Sequence, residues 1–222
     1  MTNRAARSIA QTSLQDSNQN TCVIIFAKYP TPGMAKTRLQ PALGVDGTAQ
    51  MARRLLLHSV EQAVATNYLV ELCVSPAPTD PCWRALDLPD TLHWSGQVVG
   101  DLGARLLTAS QQALDTYKKI LLVGTDCPSL TAQCIQDAAL QLDQHDTVMI
   151  PASDGGYVLL GFKQVHDSLF SNIIWSTASV AAVTQQRIKA LGWSLAVLEP
   201  LHDIDEPDDL KYLPSDWLAS QE

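Results

Sequence analysis

Seven short apolar runs, separated by longer amphipathic stretches, constrain this chain more than any other feature. They are CVIIFA (22–27), YLVELCV (68–74), LHWS (92–95), KILLVG (119–124), DTVMIPA (146–152), GYVLLGF (156–162) and SLAVLE (194–199). Several are apolar at every position, as strands are when helices cover both faces of a parallel sheet. The intervening stretches read as helices over about 47–66, 101–115, 131–143 and 176–191. In the first, Met51, Leu55, Val60 and Val64 fall near one stripe. Asp101, Thr131 and either Ser176 or Thr177 occupy N-cap positions. Strands and helices alternating at this spacing predict a doubly wound α/β sandwich.

With 222 residues and 46% hydrophobic content, one such domain with a real core is expected. Residues 1–20 are polar and aperiodic and lack the apolar stretch of a secretory signal, so they read as a flexible tail. The domain is placed at 21–213, with a fraying C-terminal tail over 214–222. The net charge of −8 argues against a nucleic-acid binder, which needs a basic face. No apolar run has the length of a membrane span. The five cysteines are odd in number and include no CxxC pair, which suits a reducing cytoplasm and supplies no zinc site.

In open α/β sheets the ligand lies beyond the C-terminal ends of the strands. Four of the loops at those ends are unusual. The first, FAKYPTPGMAKTRL, sets Lys28, Lys36 and Arg38 among Pro30, Pro32 and Gly33. Cations on a preset loop suit a polyphosphate, and Gly33 permits close backbone approach. The loop is not a P-loop, because Gly and Lys are not adjacent and the upstream glycine is missing.

The second loop carries Asp126 directly after KILLVG, too far upstream of Thr131 to act as a simple cap. A carboxylate facing a basic loop suggests Mg2+ or Mn2+ bridging to phosphate, since such ions take few protein ligands. HDIDEPDDL (202–210) adds Asp203 and Asp205, on one face if the segment is extended. The bland alternative makes Asp205 an N-cap, with Pro207, Asp208 and Asp209 in the first turn. The third loop, PASDGGYVLLGF, reads as a hairpin turned at Asp154-Gly155-Gly156. Asp154, the two glycines and Tyr157 are its candidate substrate contacts. In the fourth, QVVGDLGARL, Gly100 precedes a helix start and Arg105 stands in the first turn. That cation opposes the helix dipole, a local conflict that suggests a phosphate-binding role. Of the histidines, His202 stands nearest the acidic segment.

Taken together, FAKYPTPGMAKTRL, QVVGDLGARL, VGTDCPSL, PASDGGYVLLGF, IIWST and HDIDEPDDL resemble the signature blocks of the glycosyltransferase-A-like transferases of small bacterial proteins. That family is similar to phospholactate guanylyltransferase and the molybdenum-cofactor nucleotidyltransferases, within the broader nucleotide-diphospho-sugar transferase fold. The blocks occur in order over about 21–213. The resemblance implies a three-layer α/β/α sandwich, Rossmann-like and of GT-A type, with a mostly parallel mixed sheet. It implies that Lys28, Lys36 and Arg38 grip phosphates, that Asp126 is a metal ligand, and that Asp205, with Asp203 beside it, completes the metal site. The opening loop departs from the nucleotidyltransferase pattern in having one glycine and two prolines. The glycosyltransferase Asp-x-Asp motif is replaced at 126 by Asp-Cys-Pro.

The expected function is a metal-dependent, cytoplasmic transferase that uses a nucleotide-activated substrate and a small-molecule acceptor. Asp126, Lys36 and Arg38 are the expected catalytic residues. Glycosyl transfer from an NDP-sugar and nucleotidyl transfer from an NTP are both open. A non-catalytic nucleotide-binding regulator on the same scaffold is the alternative from another class.

Overall fold

The computed structural model describes residues 20–218. The N-terminal stretch assigned above to a tail lies outside the described residues but for Asn20. Seven strands form one sheet: β1 (Thr21–Lys28), β2 (Leu69–Ser75), β3 (His93–Gly96), β4 (Lys119–Val123), β5 (Thr147–Pro151), β6 (Tyr157–Phe162) and β7 (Leu195–Val197). Their order is β3-β2-β1-β4-β6-β5-β7. β1, β2, β3 and β4 pair in parallel, as do β5 and β7, whereas β6 is antiparallel to both neighbours. The expected mostly parallel mixed sheet is what forms.

The helices are α1 (Gln40–Ala65), α2 (Leu102–Leu114), α3 (Ala132–Gln141), α4 (Val180–Ala190) and a last turn, α5 (Ser215–Leu218). Alternation along β1 separates the two faces. Val23, Ile25 and Ala27 pack with Leu56, Val60 and Ala63 of α1 and Ile135 and Ala138 of α3. Cys22 and Ile24 pack with Leu106 and Ala109 of α2 and Ala181 and Ile188 of α4. Both faces are therefore covered, and β1 from Cys22 to Ala27 and β4 from Ile120 to Val123 are apolar throughout because neither face meets water. The three-layer sandwich follows.

Several boundaries differ from the sequence reading. The first helical segment begins at Gln40 rather than 47, and Gly44 interrupts it with φ 70°. Asp101 and Thr131 do cap α2 and α3, accepting from the amides of Ala104 and Cys134. Neither Ser176 nor Thr177 caps α4, which starts at Val180. Ser176 adopts φ 60°, a left-handed conformation in which a right-handed helix cannot begin. Nor does the chain fray directly after Pro214. Trp217 is 8% exposed and joins Leu39, Met51, Leu55, Ile204 and Leu213 in a separate apolar cluster.

Sequential strands run β1 to β2 on one side, and β4 then pairs on the other side of β1. The loops after β1 and β4 thus face each other at the point where strand order reverses, the usual ligand position in such sheets. Because β6 runs antiparallel, the β5–β6 turn opens on the same edge. The chain leaving β7 also returns there, with the Ile204 amide donating to the Asp126 carbonyl at 2.8 Å.

Candidate active site

Three of those loops converge on Lys36. Its ammonium lies 2.7 Å from Asp126 Oδ1 and 3.7 Å from Asp205 Oδ1, and it donates to the Ile204 carbonyl. The Lys36 side chain is 8% exposed, whereas Asp126 is 51% exposed. Lys36 itself holds φ 46°, in the left-handed region that L residues occupy at a cost. Arg38 projects further out and pairs with Asp205 Oδ2 at 2.7 Å, with Glu206 at 3.9 Å. The two carboxylates expected to hold a metal together, Asp126 and Asp205, therefore share a lysine ammonium.

Asp205 is free for this pairing because it is not the N-cap of the following turn. That turn, Pro207–Tyr212, is capped at Glu206. The Asp209 carboxylate accepts from the amides of both Asp205 and Glu206. The sequence reading gave Asp209 a helix-start role, which it has, and mislocated the cap by one residue.

A cavity of about 110 Å3 opens beside the ion pairs, lined by Gly124, Asp126, Ala152, Asp154, Tyr157 and Asp203, among others. Asp203 is half-buried, and its carboxyl is pushed up to about 6, first by burial and then by the charge of Asp154. Lys36 pulls it the other way and Asp126 adds to the rise. Asp203 forms no ion pair of its own among the described residues. Among the described residues no three His, Cys, Asp or Glu side chains stand close enough to hold a metal alone. The donor chemistry nevertheless fits a hard divalent ion, which takes one or two carboxylates and completes its shell with phosphate and water. Asp126 and Asp203, with Asp154 across the cavity, are the oxygens that fit.

The Asp-Gly-Gly turn forms as expected, and Gly155 in it has a packing role. Asp154 Oδ1 accepts from the Gly156 amide at 2.7 Å. Gly155 has φ 93°, and a Cβ there would stand 2.2 Å from the Ala178 carbonyl oxygen. The turn is thus pressed against the chain entering α4, and the Gly155 carbonyl accepts from the Ala181 amide. Tyr157 lines the cavity, yet its phenol oxygen is buried without a hydrogen-bond partner, and burial pushes its titration up.

The remaining candidates sit along the rim. Lys28 is exposed at the end of β1 and forms no ion pair among the described residues. Gly33 lies in the opening loop with φ 78°. The Thr31, Met34 and Ala35 amides of that loop are already bonded to carbonyls within it. Arg105 does not confront the helix dipole unaided: its guanidinium donates to the Gly100 carbonyl at 2.9 Å and to Gln97 Oε1 at 3.3 Å. Gln97 in turn donates to the Ala27 and Cys73 carbonyls, tying this loop to the ends of β1 and β2. Gln97 escaped the sequence reading, since a lone glutamine carries no pattern. His202 stacks face to face on Tyr212, with ring centroids 3.7 Å apart.

Residues 57–177 match the family described as uncharacterized proteins conserved in bacteria, DUF2064. The chain belongs to that family. No curated protein matches this DUF2064 member in sequence. Among solved structures, it resembles a candidate nucleotide-diphospho-sugar transferase from Desulfovibrio desulfuricans G20, with 29% identity over 91% of this chain and 90% of that one, at a TM-score of 0.83. It shares its fold with a CMP:2-keto-3-deoxy-manno-octonic acid synthetase solved with CTP (10% identity, 92% and 100% covered, TM-score 0.59). The 4-diphosphocytidyl-2C-methyl-D-erythritol synthase of Anaerococcus prevotii DSM 20548 shares it too (10% identity, 91% and 99% covered, TM-score 0.56). The DUF2064 chain therefore has the GT-A-like fold of nucleotide-diphospho-sugar transferases. None of its helices, among the described residues, is long and apolar enough to cross a membrane.

Proposed function

We propose that this protein is a cation-assisted transferase acting on a nucleotide-activated substrate, with the phosphates of that substrate seated between the opening loop and Asp126. One observation carries the reading: acidic groups outnumber basic ones at the switch point. Asp126, Asp154, Asp203, Asp205 and Glu206 face Lys36 and Arg38, with Lys28 and Arg105 further out on the rim. A polyanion approaching this edge meets net repulsion unless a divalent cation comes with it. Such an ion, held by Asp126 and Asp203, would neutralise phosphate oxygens and favour departure of the phosphate leaving group. Lys28 and Arg38 would flank the phosphates from the loop side, with Arg105 and Gly100 holding the neighbouring rim. Asp154, Gly155, Gly156 and Tyr157 would wall the acceptor side. Positioning and electrostatics would supply the catalysis.

The substrate read best is an NDP-sugar, giving glycosyl transfer. Support comes from the likeness to the D. desulfuricans G20 protein over nine-tenths of both chains. It comes also from the opening loop, where the amides of Thr31, Met34 and Ala35 are bonded within the loop and so are not offered to a triphosphate. Nucleotidyl transfer is the second reading, favoured by the CTP-bound synthetase of the same fold. Incubation with NDP-sugar and NTP panels in Mn2+ or EDTA, assayed for released NDP and pyrophosphate, separates them. Cation-dependent NDP release supports the first reading and pyrophosphate release the second. Release of neither would overturn the transferase assignment.

A further inference from the structure

We infer that Lys36 is the resident counter-ion of Asp126 and surrenders that carboxylate when a divalent cation binds. The inference rests on the cation-assisted reading above and deepens it.

The ammonium of Lys36 has three N–H groups. Two of them have close partners, Asp126 Oδ1 at 2.7 Å and the Ile204 carbonyl, while Asp205 Oδ1 at 3.7 Å lies beyond hydrogen-bond reach. A divalent ion that takes Asp126 must displace Lys36 from it. Ile204 is fully buried and its carbonyl has nowhere to turn. Asp205 keeps a second cation, Arg38, at 2.7 Å. Asp126 has no other basic partner among the described ion pairs and is half exposed, so it is the partner that can be exchanged. A lysine and a divalent ion thus compete for one carboxylate.

Two consequences follow. Lys36 depresses the affinity of the protein for the cation, because binding must break an ion pair whose lysine is shielded from solvent. Nucleotide phosphates give the displaced ammonium a new partner, so nucleotide and cation each tighten the other through Lys36. Bare cation therefore binds more weakly than cation that arrives with nucleotide.

The test is Mn2+ binding, followed by electron paramagnetic resonance, for the wild type and Lys36→Met. The variant is expected to bind Mn2+ alone about three-fold or more tightly than the wild type. It should also lose much of the tightening that UDP brings. Acetylation of wild-type Lys36 by acetic anhydride, read by peptide mass spectrometry, provides a second measurement that needs no variant. Lys36 is 8% exposed while paired with Asp126 and should label faster when Mn2+ is added. Equal or weaker Mn2+ binding by folded Lys36→Met overturns the inference, as does labelling that Mn2+ leaves unchanged. The transferase reading survives either result if the wild type still turns over with Mn2+. A wild type that binds no Mn2+, with or without UDP, overturns both.

Discussion

The amide of Ile204 donates to the carbonyl of Asp126 at 2.8 Å, so the last loop is fastened to the loop after β4 through backbone alone. The side chain of Asp126 takes no part in that bond. Asp126→Ala should therefore fold, losing about 1 kcal/mol or less from the partly exposed ion pair with Lys36. Turnover should fall by about 100-fold or more, as when one charge-stabilising group is removed. Steady-state kinetics beside thermal unfolding checks both, and a fully active variant would refute the role of Asp126.

Asp203 gives a pH dependence whose sign can be worked out. Its carboxyl is raised from 3.8 to about 6 in the fold. Between those values the native state keeps a proton that the unfolded chain has lost. This group's contribution to stability is therefore full at the acid end, falls as pH rises through the window and levels off above about 6. Solvent screening at a half-exposed site limits the effect to on the order of 1 kcal/mol. In EDTA, Asp203→Asn should be more stable than wild type at pH 7, with a flatter urea-unfolding profile across the window. Superimposable profiles would remove the assignment.

Gly155 should tolerate no side chain. A Cβ 2.2 Å from the Ala178 carbonyl cannot be relieved by rotating a flexible group, and φ 93° adds strain. Gly155→Ala should cost about 2–4 kcal/mol in urea unfolding. An unchanged midpoint would mean that the turn does not press on the chain entering α4.

Trp217 ties the C-terminal turn to the floor of the site. It shares an apolar cluster with Ile204, the residue between Asp203 and Asp205, and its ring lies 4.6 Å from the Arg54 guanidinium carbon. Trp217→Ala should cost about 3 kcal/mol. It should also weaken cation binding, by loosening the segment that carries Asp203. Full stability after truncation at 213 would show that the turn is dispensable.

Much of this was legible in the sequence, for identifiable reasons. Strands such as KILLVG are buried on both faces, so their apolar runs are unbroken and their ends fall where the sheet places them. Asp101 and Thr131 announce their helices because a short oxygen side chain ahead of an amphipathic run has one common use. The loops were legible as a set but not in their pairings. Nothing in the spacing tells that Lys36 reaches Asp126, because that contact depends on β4 pairing beside β1. The left-handed backbone at Ser176, ahead of α4, likewise has no signal in the sequence. Gly155 showed the need for a glycine but not its cause, since a turn beside a helix and a turn beside a ligand read alike.

The most direct measurement of the central claim is a thermal-shift titration with NDP-sugars and the four NTPs, each in Mn2+ and in EDTA. A ligand that binds only the native state raises the midpoint by mass action. The account predicts that an NDP-sugar raises it in Mn2+ and that EDTA abolishes the shift. A shift of equal size in EDTA, or none with any nucleotide, would contradict it.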